Sequence, residues 1–293
     1  MSIQGNRNPV RRSLQVLRYL MTAPDQQIGV RALAGTFKTA PSTMHRVLSA
    51  LVEEELVHHD PETGLYSLDL EMVRLAHLAV ERVPAQKIAM RHLRRLADET
   101  HETALLGLYD RTRQEVMFTA AVESPQPLRY VNLMRTWLPL HAGATGLAIL
   151  AFLPEAEREA FFKKRKLNAI TDRTIADRRK LTQVLDRIRR NGYACTIGQR
   201  TPGAVGIAAP IFGPSGDVIG DIIITLPEQR FERGGERAFA KFVMRCANRV
   251  THELGGVPPA AMEGSDEPET RGPRVLNGRS RPKPRAETIS KGI

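Results

Sequence analysis

Between residues 41 and 52 the apolar residues keep one spacing. Met44, Val47, Leu48, Leu51 and Val52 stand at i, i+3, i+4, i+7 and i+8. That pattern makes a single stripe on an α-helix and alternates on neither face of a strand. Pro41 suits the first helical position, where its missing N–H has no partner to lose. With the stripe turned inward, the outward face is Ser42, Thr43, His45, Arg46 and Ser49. These are short hydrogen-bonding side chains and one guanidinium, close to the helix N-terminus.

The flanking sequence completes a small domain. Leu14, Leu17, Leu20 and Met21 predict one face of a first helix, with Ser13 near its start. A short second helix is expected over residues 30–35, after Gly29. Residues 56–59 and 65–68, separated by Asp60-Pro61-Glu62-Thr63-Gly64, read as a hairpin. Three short helices followed by a hairpin is the pattern of a winged helix-turn-helix. A major groove accepts one helix of this width, and a helix N-terminus presents free N–H groups and positive dipole to phosphate. The expected DNA-binding residues are Ser42, Thr43, His45, Arg46 and Ser49 on the recognition helix, Thr63 and Gly64 at the wing, and Arg7, Arg11 and Arg12 as a basic arm before the first helix. Arg46 suits either a guanine edge or a phosphate.

Charge supports a polyanionic partner. The chain of 293 residues carries a net +11, and nucleic acid is the commonest partner of such an excess. The charge is uneven. Residues 1–50 hold seven basic residues against one acid, and residues 51–80 hold one against seven. A uniformly basic RNA-coating protein has no such reversal, and aromatic residues at 5% are too few for a base-stacking platform.

Residues 84–254 read as α+β. Helices are expected over 84–101, 143–153, 155–164, 177–191 and 231–254. Strands are expected over 103–110, 115–122, 128–133, 193–197, 205–212 and 218–226. They form an antiparallel sheet of five or six strands with helices grouped around it. Residues 70–80 continue the first domain as a connector helix whose apolar side suits either a dimer seam or packing on its own domains. After Gly255-Gly256 the chain is rich in proline and poor in large apolar residues, and a disordered basic tail is expected over 255–293. The expected domains are thus 1–69, a linker helix at 70–83, a second domain at 84–254, and the tail.

Enzymatic readings find little support. There is no HExxH, CxxC, P-loop or GxSxG motif, so neither a metal nor another cofactor is expected. Cys195 paired with His141 would be the one thiol candidate, as a nucleophile or redox sensor, but a lone cysteine beside a strand is usually a small buried hydrophobe. Two cysteines make no disulfide framework. No signal-peptide pattern or apolar run of membrane length is present, so a cytoplasmic chain with no membrane partner is expected.

In order and spacing, several stretches resemble the IclR-type bacterial transcriptional regulators. Ser42-Thr43-Met44-His45-Arg46-Val47-Leu48 is similar to that family's recognition helix, and residues 60–68 to its wing. Residues 123–129, Leu138-Pro139-Leu140-His141-Ala142 with Gly146, Gly192-Tyr193-Ala194, and Ile207-Ala208-Ala209-Pro210-Ile211 resemble its second domain. The resemblance covers about residues 9–254. It implies a GAF-like effector-binding domain behind the winged helix and a homodimer or dimer of dimers on double-stranded operator DNA. It also implies a small-molecule effector, often a carboxylate, controlling a catabolic operon as repressor or activator. RNA polymerase is a further partner that the class admits. A metabolite-binding scaffold whose winged helix contacts protein is the alternative.

Carried over position by position, the resemblance implies an effector pocket of Ala144, Thr145, Gly146, Thr196, Gly206, Ile223 and Thr225. The family's usual lysine is here Leu147. Its common cysteine is Gly206, and its frequent serines are Ile223 and Thr225. A pocket that has lost charge and gained room is therefore expected, suited to a larger, partly apolar or aromatic acid held by helix N–H groups.

Overall fold

The computed structural model describes residues 8–130, 134–232 and 234–259. The chain divides into two compact units, with the division between Val83 and Pro84.

The first unit holds helices α1 (Pro9–Thr22), α2 (Val30–Thr36) and α3 (Pro41–Glu53). A small antiparallel sheet of β1 (Ile28–Gly29), β3 (Leu65–Leu68) and β2 (Val57–His59) closes it, in that order. The stripe on α3 is buried as its spacing requires: Met44, Val47, Leu48 and Leu51 enter a core with Val16, Leu20, Leu33, Val57 and Tyr66. Val52 packs at its margin. Helix α1 departs from expectation. It starts at Pro9 under an Asn8 cap rather than near Ser13, and it buries Val16 and Leu20 while Leu14 and Met21 stay more than half exposed. Leu17 and Tyr19 pack at the core margin, the Tyr19 ring meeting Phe37 edge-on at 5.6 Å. The two-residue β1 had no periodicity by which to be seen. Helix α4 (Leu70–Glu81) ends the unit and has no buried residue.

The second unit is a six-stranded antiparallel sheet in the order β6-β5-β4-β9-β8-β7. Its strands are β4 (Thr103–Asp110), β5 (Glu115–Val122), β6 (Trp137–Pro139), β7 (Ala194–Ile197), β8 (Ala204–Phe212) and β9 (Val218–Pro227). Residues 220–227 of β9 are buried without a break, so this central strand is covered on both faces. Helices α5 (Pro84–Thr100) and α9 (Glu236–Glu253) pack together and against the sheet, α5 on β4 and β5, α9 on β8 and β9. Helix α6 (Ala144–Phe152) packs on β8 and β9 as well, with α8 (Arg178–Asn191) behind it. Residues 144–151 of α6 are all buried, as a helix apolar on every side must be. Helix α7 (Glu155–Lys164) connects α6 to α8.

Two expectations are corrected here. The strand expected over 128–133 is not a strand at 128–130, and its remainder lies outside the described residues. The edge strand is instead β6, three residues long and paired with β5 through Val116↔Leu138. The closing helix begins at Glu236 rather than 231, after a 3-10 turn at Glu228–Arg230. Most of the tail expected over 255–293 lies outside the described residues.

Leu48 is fully buried at the centre of the first core. Leu48→Ala is expected to destabilise that unit by about 2–5 kcal/mol. Urea unfolding followed by circular dichroism should show an earlier transition. The fluorescence of Trp137, the single tryptophan and a residue of the second unit, should keep its midpoint.

Candidate functional site

Two surfaces gather the residues singled out by the sequence, one in each unit. On α3, Ser42, His45 and Arg46 are exposed, with Thr43 and Ser49 half-buried beside them. The Ser49 hydroxyl lies 3.3 Å from His45 Nδ1, which fixes the ring on that face. The cap residue is Ala40, whose side chain satisfies none of the first N–H groups. Those donors are left to solvent or to an anion.

The hairpin turn is tightly built. Asp60 accepts the Thr63 hydroxyl at 2.6 Å and the Glu62 N–H at 2.9 Å, and these bonds, the Thr63 one foremost, hold its carboxyl below the usual range. Gly64 takes a left-handed φ of 69° to return the chain. Thr63 and Gly64 are exposed at the tip. Arg11 and Arg12 do not form an arm before the first helix. They lie in the first turn of α1, where the Asn8 side chain accepts the Arg11 N–H at 3.3 Å. Arg7 lies outside the described residues.

In the second unit a cavity of about 360 Å³ opens at the N-terminal end of α6. Ala144, Thr196, Gly206, Ile223 and Thr225 line it. Their meeting has a simple cause. Gly206 pairs with Thr196 on β7 and with Thr225 on β9. A Cβ at Gly206 would stand 3.2 Å from both Ala144 Cβ and Ile223 Cδ1, so the absent side chain is part of the space.

Thr145 and Gly146 are corrected: neither lines the cavity. Gly146 faces the preceding loop, where a Cβ would fall 2.6 Å from the Leu140 carbonyl oxygen. Thr145 is fully buried, turned toward Asp221 of β9.

The expectation of a pocket without charge is also corrected. Arg200, in the loop between β7 and β8, lines the cavity. The Thr171 and Thr174 hydroxyls hold that loop by donating to the carbonyls of Gly198 and Gln199, both at 2.7 Å. Tyr130 adds a bond to the Pro202 carbonyl at 3.1 Å. The Arg200 stem packs on Gly143, whose φ of 83° brings the chain into α6. Its guanidinium lies 5.3 Å over the Phe118 ring. Arg200 Nη1 is buried with no hydrogen-bonding partner. Burial pulls the guanidinium down, and the Asp221 charge opposes this. Trp137, Ile170 and Val205 supply apolar wall, and Gln199 and Thr201 further polar groups. Apart from Val205, on β8, these residues come from loops and a three-residue strand, for which periodicity gives no signal.

The thiol candidate fails on its surroundings. Burial, and then Glu236, push the Cys195 thiol up to about 12, away from a reactive thiolate. His141 is buried and its Nε2 lies 2.8 Å from the Asn168 carbonyl oxygen, which makes it an anchor for the loop before α6. Among the described residues no cluster of metal-ligating side chains exists, and no helix is long and apolar enough to cross a membrane.

Residues 77–252 match the family model described as bacterial transcriptional regulator IclR C-terminal, and residues 9–61 match the IclR helix-turn-helix domain. The chain belongs to the IclR family. It is a DNA-binding transcriptional regulator, and the family is one of regulators rather than enzymes. Among curated relatives, it is 29% identical to the HTH-type transcriptional regulator KipR of Bacillus subtilis, over 86% of this chain and 99% of that one. It is 31% identical to the glycerol operon regulatory protein of Streptomyces coelicolor, over 85% and 97%. Among solved structures, an IclR homolog from Microbacterium hydrocarbonoxydans complexed with 4-hydroxybenzoate shares the fold with a TM-score of 0.72 at 22% identity, over 84% and 99%.

Asp221 gives the regulator a pH signature. It is fully buried, and no hydrogen bond of good geometry reaches either carboxyl oxygen, the Thr145 hydroxyl being its nearest polar neighbour. Burial pushes it up to about 7, with Thr145 and then Arg200 pulling back. Between its ordinary value of 3.8 and about 7, the folded chain holds a proton that the unfolded chain has released. Stability from this group is therefore full below 3.8 and is lost as pH rises through about 7. Asp221→Asn should remove the effect. Its melting temperature should match wild type near pH 4 and exceed it at pH 8, by the equivalent of roughly a few kcal/mol.

Proposed function

We propose that this regulator reads operator DNA through α3 and is controlled by an aromatic or partly apolar carboxylate held in the cavity of the second unit. The observation that carries the effector class is the pairing of one buried, unpartnered guanidinium nitrogen with largely apolar walls. A buried guanidinium nitrogen with no acceptor is costly, and a carboxylate is its natural complement. A cavity of about 360 Å³ falls in the range of small-molecule sites. It leaves room beyond a two-carbon acid, and Trp137, Ile170 and Ile223 offer that room to an apolar body. The open N–H groups at the start of α6 add positive dipole beside Arg200.

The DNA-binding reading assigns residues 1–69 to operator contact, 70–83 to a linker helix and 84–254 to effector binding. Ser42, Thr43, His45, Arg46 and Ser49 would enter the major groove, Thr63 and Gly64 approach the backbone or minor groove, and Arg7, Arg11 and Arg12 neutralise phosphates. Helix α4 supports a homodimer or a dimer of dimers, because Leu70, Val73, Leu78 and Val80 remain exposed on this chain. A cytoplasmic regulator of a catabolic operon fits the glycerol operon protein among its relatives.

A gel shift on the DNA upstream of its own gene and of adjacent operons tests the reading, with random DNA as competitor and aromatic and aliphatic acids added. A specific complex altered by an aromatic acid is the expected result. Response to glyoxylate-sized acids alone would overturn the effector class. Arg46→Ala should weaken the operator complex by about 1–3 kcal/mol and relax sequence preference; an equal loss on random DNA would make Arg46 a phosphate clamp. Arg200→Gln should leave DNA binding intact and abolish the response to acid.

A further inference from the structure

Buried polar atoms without partners cluster at one end of the cavity. Along β9, successive side chains alternate between faces, so Asp221, Ile223 and Thr225 share one. Ile223 and Thr225 line the cavity. Asp221, the third of the row, lies beyond them against Gly107 of β4, where its Oδ1 stands 2.1 Å from the position a Cβ would take. Only a glycine leaves that volume to a carboxyl. No hydrogen bond of good geometry reaches Asp221 Oδ1 or Oδ2, Thr145 Oγ1 or Arg200 Nη1, although the Thr145 hydroxyl lies near enough to Asp221 to draw its carboxyl down. A plain ion pair does not account for them, since Arg200 and Asp221 form no salt bridge while each feels the other's charge.

The charged groups around Asp221 are few. Helix α6 above it and β8 beside it, where Pro210 is its register partner, contain no titratable residue. Its own strand contains no other. On β4 the titratable residues are Tyr109 and Asp110, at the far end of the strand; burial pushes the Tyr109 hydroxyl up to about 12, so it stays neutral. On β5 the only one is Glu115, at the outer end beside Arg165. Helix α9, which also packs on β9, carries Glu236, Arg237, Lys241, Arg245, Arg249, His252 and Glu253, and Cys246, whose thiol burial pushes up to about 12. Among the described residues, Arg200 is the charge felt at Asp221.

We infer that the cavity takes up its carboxylate together with one proton, and that the proton goes to Asp221. This rests on the carboxylate reading of the cavity. The balance is simple. Arg200 carries +1, and an ionised Asp221 already neutralises it from within. A second buried anion would leave the site at −1, with two carboxylates competing for one guanidinium. A proton from solvent on Asp221 restores neutrality and frees Arg200 for the ligand; no other bond forms or breaks. Burial has already brought Asp221 to about 7, so the uptake falls within the physiological range. The regulator would then report acid and pH together. Asp221 is a specificity-determining residue that acts through Arg200.

Isothermal titration of the full chain with benzoate and 4-hydroxybenzoate, and with pyruvate as an aliphatic arm, tests this between pH 5.5 and 8.5. Buffers of different ionisation enthalpy read the proton count. Wild type should take up close to one proton per ligand at pH 8, and Kd should rise about tenfold per pH unit above 7. Asp221→Asn should bind without proton uptake, with Kd flat across the range and tighter than wild type at pH 8. Wild-type binding with no net uptake, or the same pH slope in Asp221→Asn, would overturn the inference while leaving the carboxylate reading intact. No binding of any of the three acids by either protein at any pH would overturn both.

Discussion

The second unit depends on where α6 can be put. A helix buried on every side from 144 to 151 has no face to give to water. It must be enclosed by the sheet and by α8, and its N-terminus must then end inside the protein. Backbone donors that end inside a protein need partners or a cavity. Gly146 lets the helix close against the loop at Leu140, and Gly206 withholds a side chain from the facing strand. The cavity is what remains beside the seated N-terminus of α6, where Gly206 stops the core from filling.

Charge at that end follows from the same enclosure. Arg200 reaches the cavity because its loop is bonded at 198 and 199 by two threonine hydroxyls and its stem rests on Gly143. Asp221 is buried because the strand that carries it is the centre of the sheet. In water such groups would be unremarked. Behind low-dielectric walls each unit of charge is costly, and only arrangements close to neutral persist. Hydrophobic burial thus turns two ordinary side chains into a site sensitive to both anions and protons.

How much of this was legible in the sequence varied with periodicity. The α3 stripe, the hairpin about Asp60–Gly64, and strands β4 and β5 were readable because spacing alone determines which residues go inside. Helix α1 was half legible: Leu17 and Leu20 meet the core as their spacing required, but Leu14 and Met21 stay exposed and Val16 takes the central place. At the cavity, five of seven residues were reached by family resemblance. Thr145 and Gly146 were misplaced because adjacent helical positions point about 100° apart, so one residue of a motif can line a space while its neighbours do not. Arg200 escaped because a loop residue has no period, and its role comes from tertiary bonds made by Thr171 and Thr174. A sharper signal was present in Asp221, an acid set within the apolar run of β9, which in a buried strand demands a reason.

An effector alters DNA binding only if it binds two arrangements of the regulator with different affinity. A neutral ligand in an apolar pocket achieves this through shape alone. A carboxylate facing a half-neutralised guanidinium adds an electrostatic difference, because any movement of the Arg200 side chain relative to β9 changes the field at Asp221 and at the ligand alike. In a medium of low dielectric, small displacements of that kind carry free energies comparable with typical allosteric couplings of about 1–3 kcal/mol. The loop is held by hydroxyl–carbonyl bonds from Thr171 and Thr174, in the segment before α8, and by packing on Gly143, without a salt bridge to Asp221. The Arg200 side chain, not bonded to Asp221, can therefore respond to charge placed in the cavity while its loop stays fixed, a use that a tightly bonded Arg–Asp pair would lack.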